Sequence, residues 1–249
     1  MKDGVTPKQA KHGDRLVEAM LSRYSSGERA QRAFSNPSFE SSFFRLLDEL
    51  GFNPTNLLEH FRFEVYGKCL GFDCPDLTCL AVPAIRAQFN WAFPIVAIDD
   101  KAPIEACFQQ LKKQFAAKHD SDGGWKWTNR ILDKIVDKND RNPLKGPYVI
   151  RTRDRPGADE EFRNLSANNL AQRGVPGVTL YERLVMGTWY YVKTGEHLDA
   201  QDVTLCSGSR CDDGRVPIVY WHSCRRGLDV SWCGPDSRDV GLRCREVVS

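Results

Sequence analysis

The sequence predicts an α+β protein: a mostly helical N-terminal domain, then a C-terminal domain of short antiparallel strands around one longer helix. Three observations lead there. Apolar residues recur at helical spacing between residues 37 and 140. Asp, Asn, Pro and Gly crowd into "DKNDRNPLKGP" (137–147), which reads as a linker. From "VTLCSGSR" onward, short alternating runs are divided by Gly, Asp and Pro, the texture of small strands and turns. The expected layout is a polar lead-in at 1–36, a helical domain at 37–140 and a third segment at 141–249.

The lead-in is Ser- and Arg-rich, with "DRLVEAMLSRY" as a short amphipathic stretch. In "SFESSFFRLLDELG", Ser38 stands as N-cap, Phe43, Leu46, Leu47 and Leu50 form a stripe, and Gly51 terminates the helix. "NPTNLLEHFRFEVYG" repeats the pattern with Asn53, Pro54 and Gly67. "KAPIEACFQQLKKQFAAKH" places Ile104, Cys107, Phe108, Leu111 and Phe115 on one face, and "WKWTNRILDKIVDKN" adds Ile131, Leu132, Ile135 and Val136. Beyond the linker, "YVIRTRD" (148–154) alternates like a half-buried strand and "ADEEFRNLSANNLAQRG" is weakly helical. Thr179 and Glu182 form a capping box for a helix whose stripe is Leu180, Leu184, Val185, Trp189 and Val192, ended by Gly195.

A chain of 249 residues with 41% hydrophobic content can bury a substantial core. Its net charge of +2 is too small for an electrostatic nucleic-acid footprint, so nucleic acid is disfavoured as a partner. No apolar run suits a signal peptide or a membrane helix, which sets the expectation of a cytoplasmic protein without a membrane partner. Nine cysteines is an odd number, and reduced thiols are expected in that compartment.

Chemistry-bearing clusters are weak. Cys69, Cys74 and Cys79 are evenly spaced five apart near His60, which does not match the close ligand pairs zinc prefers. Cys206, Cys211, Cys224, Cys233 and Cys244 lie near His197 and His222, yet nothing in the sequence supplies an orienting group or an oxyanion site. "SGSR" and "DDGR" fit no phosphate loop. Asp99–Asp100 and Asp212–Asp213 are adjacent pairs of the kind found in turns. No metal, cofactor or catalytic residue is expected.

The closing stretch is more informative. Val219, Trp221, Leu228, Val230 and Trp232 alternate as the apolar face of two strands joined by "HSCRRG", while Tyr220, His222, Asp229, Ser231 and Cys233 occupy the other face, continued by the loop "GPDSRD". Residues 202–245 contain no Lys, Glu, Gln or Met, although the first 201 residues contain 35 of these and about eight are expected in such a window. Solvated strands use Lys and Glu freely, so exposure predicts the opposite. AAC codons mutated at their adenines give NNC codons, which never encode Lys, Glu, Gln, Met or Trp. The displayed letters all belong to the NNC set; the two tryptophans sit on the apolar face. A GC-rich genome accounts for Arg over Lys but not for the missing Glu, Gln and Met.

With these features the chain resembles the variable proteins of diversity-generating retroelements, whose C-terminal domain has the C-type-lectin fold shared with formylglycine-generating enzymes. "TLYERLVMGTWYYVKTGEHLD" is similar to the family's helical portion, "TLCSGSRCDDGRVP" to its glycine-rich connection and "VGLRCREVVS" to its last strand, a likeness covering roughly 145–249. The resemblance implies that Tyr220, His222, Ser223, Cys224, Arg225, Arg226, Asp229, Ser231, Cys233, Gly234, Asp236, Ser237, Arg238 and Asp239 are variable, solvent-facing and ligand-contacting. Val219, Trp221, Leu228, Val230, Trp232, Leu242, Arg243, Val247 and Val248 are scaffold, and Ile218, Val240, Gly241 and Cys244 are open between the two groups.

The expected function is therefore non-enzymatic display of a ligand-binding patch for an unidentified macromolecule, a protein by preference, with homo-oligomerisation left open. Two alternatives stand beside it. One is an oxidoreductase like the formylglycine-generating enzymes, with Cys224 and Cys233 as a copper-binding pair outside any matching motif; the other is nucleic-acid binding through Arg225, Arg226 and Arg238. Calcium-binding residues of sugar-binding C-type lectins are not recognisable.

Overall fold

The computed structural model describes residues 55–84, 86, 88–119 and 130–249. The lead-in, the helix expected at 38–51, the caps Asn53 and Pro54 and residues 120–129 lie outside the described residues. Internal contacts divide the chain into Met1–Leu57 and Leu58–Ser249. Helix α1 (Thr55–His60) runs on into a π-helix, Phe61–Cys69, so Gly67 lies within the helical turns rather than beyond their end. Just past the helical turns, Gly71 has a φ of +63°, which suits glycine.

Strand β1 (Trp91–Ile95) pairs antiparallel with β4 (Tyr148–Thr152). Helix α2 (Pro103–Gln114) buries Ile104, Cys107, Phe108 and Leu111, the stripe its sequence carries, and Pro103 occupies its first turn. Strand β2 (Ala116–His119) follows directly. The short α3 (Leu132–Ile135) is anchored by Leu132, Ile135 and Val136, whereas Ile131 is exposed. The expected linker contains strand β3 (Lys138–Asn139), which pairs with β6 (Ser209–Arg210). Helices α4 (Ala167–Gln172) and α5 (Leu180–Thr194) come next. Both halves of the capping box are made at Thr179 and Glu182, and Gly195 ends α5 at φ +73°.

The principal sheet has the order β2-β8-β7-β5-β9, built from β5 (Val203–Leu205), β7 (Val216–His222), β8 (Gly227–Cys233) and β9 (Leu242–Cys244). The β7–β8 hairpin is antiparallel; β2 joins β8 in parallel, with Ala116 opposite Gly227 and His119 opposite Val230. This pairing, together with β1–β4 and β3–β6, crosses the boundary expected at 140/141. The division into domains 37–140 and 141–249 therefore gives way to one unit spanning residues 58–249.

Helix α5 is the spine of this unit, packing against α2, the π-helix, β1 and β7. Trp189 stacks on Phe61 (6.1 Å) and meets Phe93 and Trp91 edge-on (both 5.1 Å). Such aromatic pairs add to the energy of burial. The Tyr66 hydroxyl donates to Pro94 O and accepts from Val96 N, each at 2.9 Å, so the π-helix is tied to β1. Burial pushes its phenol well up.

Candidate ligand-binding surface

The register of β7 and β8 sorts their side chains into two faces. Pro217, Val219, Leu228, Val230 and Trp232 are buried on one. Trp221, on the same face, is half-buried: it stacks on His197 with ring centroids 3.3 Å apart, and Phe115 and Tyr191 complete that aromatic group. Tyr220, His222, Asp229, Ser231 and Cys233 share the opposite face, as the alternation requires.

That second face is not uniformly wet. Val216, Ile218 and Cys233 lie against an apolar cluster formed by Ala167 and Leu170 of α4 with Leu205, Leu242 and Cys244. Cys233 is thus half-buried rather than solvent-facing, and burial raises its thiol pKa. Asp229 is a second correction. It is only 4% exposed, because the Arg225 guanidinium lies over it and forms an ion pair. Tyr220, His222 and Ser231 are half-buried on the open part of the face.

The remaining expected residues fall in two segments at opposite ends of β8, roughly 20 Å apart at strand rise. Ser223, Cys224, Arg225 and Arg226 are exposed at the hairpin tip, where Arg226 adopts φ +51°. Gly234 is half-buried, while Asp236, Ser237, Arg238 and Asp239 are exposed in the loop leading to β9. Of the positions left open, Val240 is exposed, Gly241 and Ile218 are half-buried and Cys244 is buried. Cys224 and Cys233, the pair an oxidoreductase would need together, stand at opposite ends of the strand.

Several structural partners carried no sequence signal. Beneath the hairpin, Asp199 is buried between Arg183 (2.8 Å) and Arg245 (2.6 Å), and it also accepts from Thr204. Burial alone would raise the Asp199 carboxyl, but Arg245 and Arg183 outweigh it and hold the pKa low. Asp199 itself sits at φ +58°; its carbonyl accepts from Trp221 N (3.1 Å), and the next carbonyl, Ala200 O, accepts from Ser223 Oγ (3.4 Å). The charged network thus props the base of the tip. A second buried network joins Arg141, Glu182 and Tyr148: Arg141 holds Glu182 with two hydrogen bonds (2.7 and 2.9 Å) and Tyr148 donates to it at 2.9 Å. These charges are far apart in sequence, so no local pattern announces them.

All nine cysteines are free thiols. Burial pushes Cys206 well above the ordinary thiol range, Cys244 to about 12 and Cys74 to about 11, so these groups stay neutral and are poor nucleophiles. His222 Nδ1 accepts from Arg225 N (3.3 Å), a turn contact rather than a link to a nucleophile. Among the described residues, no group of three His, Cys, Asp or Glu side chains is placed to hold a metal ion. No described helix is long and apolar enough to cross a membrane.

Comparison with protein-family models, with curated proteins and with solved structures gives no match to this chain.

Proposed function

We propose that this chain is a non-enzymatic display protein, whose surface residues on and beyond the β7–β8 hairpin are exchanged genetically by a retroelement to change the ligand bound. One observation carries the reading. The exposed positions within 202–245 are Asp212, Asp213, Gly214, Ser223, Cys224, Arg225, Arg226, Asp236, Ser237, Arg238, Asp239 and Val240. Every one is a residue that an NNC codon encodes. An unconstrained surface would carry Lys and Glu there; instead it carries an exposed valine and an exposed cysteine.

The C-type-lectin-like assignment belongs to the same proposal. Supporting it are the long helix α5 packed on β7 and the glycine-rich connection, where Gly208 passes so close to Gly177 that a Cβ would come within 2.5 Å of its carbonyl oxygen. The short parallel pairing of β9 with β5 near the chain end adds to it. Strand β2, supplied from before residue 141, is an addition to that layout.

The test has a genomic arm and a protein arm. The first looks for a near-copy of the gene's 3′ end beside a reverse transcriptase, differing only at adenines; a 3′ end with no such copy removes the mechanism of exchange. In the second, Tyr220, His222, Arg226 and Ser231 are replaced together, leaving Arg225 in place because it covers Asp229. The melting temperature should stay within a few degrees, whereas Trp232→Ala on the buried face should cost about 3–5 kcal/mol. A collapse of the quadruple variant contradicts the independence of the two faces.

A further inference from the structure

We infer that the loop at residues 234–241 is the pre-organised anchor of this surface, that Arg238 and Val240 are its main contacts, and that it takes a protein offering a carboxylate beside an apolar notch. The inference rests on the display reading and adds to it which end of the hairpin leads and what chemistry it meets.

The loop is held mostly by groups outside the interchangeable set. Asn168 N donates to Pro235 O (3.1 Å), Val203 N to Gly241 O (3.0 Å) and Asn164 N to Leu242 O (3.2 Å), while the Arg163 side chain donates through Nε to Val240 O (3.0 Å). Backbone carbonyls accept these bonds whatever side chain is attached to them, so the loop keeps its shape when its residues change. A loop already ordered loses little entropy on binding. The tip at 223–226 differs. Apart from the long contact of Ser223 Oγ with Ala200 O (3.4 Å), made by an exchangeable side chain, its bonds are local: Arg226 N to Ser223 O (3.3 Å) and Arg225 N to His222 Nδ1 (3.3 Å), the second accepted by another exchangeable side chain.

Side chains in the loop are unequally available. Asp236 Oδ1 accepts from Asn168 Nδ2 (2.8 Å), and Asp239 Oδ1 accepts from Gly241 N (2.7 Å). Arg238, between them, is exposed and makes no hydrogen bond or ion pair among the described residues. The neighbouring cations are engaged: Arg163 and Arg243 both pair with Glu160, at 3.0 and 2.8 Å. Val240 is 64% exposed, more than any other large apolar side chain among the described residues. An available arginine beside an exposed aliphatic group on a fixed backbone matches the make-up of interface hot spots. Asp236 and Asp239 flank Arg238 and repel a polyanion, so a single carboxylate on a protein surface fits better than a nucleic-acid backbone or an anionic membrane.

The experiment pans a random-peptide phage library on the full chain and measures affinities of the synthetic winners by fluorescence anisotropy. Winners should carry Asp or Glu next to Leu or Phe. Arg238→Ser and Val240→Ser should each weaken them roughly tenfold or more, and Arg226→Ser by less than about twofold, with unchanged melting temperatures showing that the fold is kept. Loss of binding in Tyr220→Ser and Arg226→Ser but not in Arg238→Ser or Val240→Ser overturns this inference and leaves the display reading standing. Winners indifferent to both sets, or a panel without winners, overturn both. Salt-sensitive binding of a single-stranded oligonucleotide that requires Arg238 overturns the assignment of a protein ligand.

Discussion

His197 shows how a single residue ties the β7–β8 hairpin to the body. Its ring lies between Tyr191 (4.8 Å) and Trp221 (3.3 Å), and burial, with Arg183 nearby, lowers its pKa from 6.5 to about 4. The unfolded chain therefore takes up this proton first as pH falls. Stability from His197 is complete above about pH 6.5, declines below it and is lost by about pH 4. The ring is partly exposed, so solvent screening reduces the effect to about 1–2 kcal/mol. Urea denaturation of wild type between pH 7 and 4 should show this loss, and His197→Phe, which keeps a ring in the stack, should flatten it. Equal pH slopes for the two proteins would remove His197 as the cause. Arg225 and Asp229 make a related point, because a residue expected at the surface is buried by its own neighbour. Period two identifies the face a side chain takes, not what lies over it.

Among the elements, the β7–β8 hairpin and α5 were the most legible, since each carries an unbroken period bounded by turn or cap residues. Strand β2 was hidden: "AAKH" has no β-branched residue and continues the helical run of α2. The pairing it makes constrains Gly227 on the opposite strand. A Cβ there would come within 2.9 Å of the Ala116 carbonyl oxygen, a backbone atom that moves only if β2 moves. Gly227→Ala should therefore destabilise by about 1–3 kcal/mol, read as a lower midpoint in urea. A change under about 0.5 kcal/mol, within the range of an ordinary surface substitution, would mean that β2 is not held against β8 as described. Gly227 adjoins the candidate contact Arg226 in sequence, yet it is buried and serves the sheet.

For the molecule as a whole, the α+β class was readable from sequence and the domain boundary was not. Turn-forming composition at 137–147 looks like a linker whether or not strands pair across it, and only long-range contacts tell the two cases apart. Because β1, β2 and β3 all reach partners beyond residue 141, a fragment of residues 141–249 should lack cooperative unfolding and near-ultraviolet circular dichroism, while residues 58–249 should retain both. A folded short fragment would show these pairings to be dispensable. For the candidate site, the period-two pattern told which side chains share a strand face but not which of them are covered, as Asp229 and Cys233 are. The bracing of the loop at 234–241 depends on α4 and on the bond from Arg163, and the base of the tip rests on Asp199 and Ala200, none of which any pattern in the last 48 residues contains.

The parallel pairing of β2 with β8 also sets the order in which the protein can be finished. Residues 116–119 wait for partners at 227–230, more than a hundred residues later, and at about 5–20 residues per second that is several seconds or more of translation. The segment proposed to vary thus leaves the ribosome after β1 to β6 and α5 have been made, so each new version meets packing partners that are already synthesised.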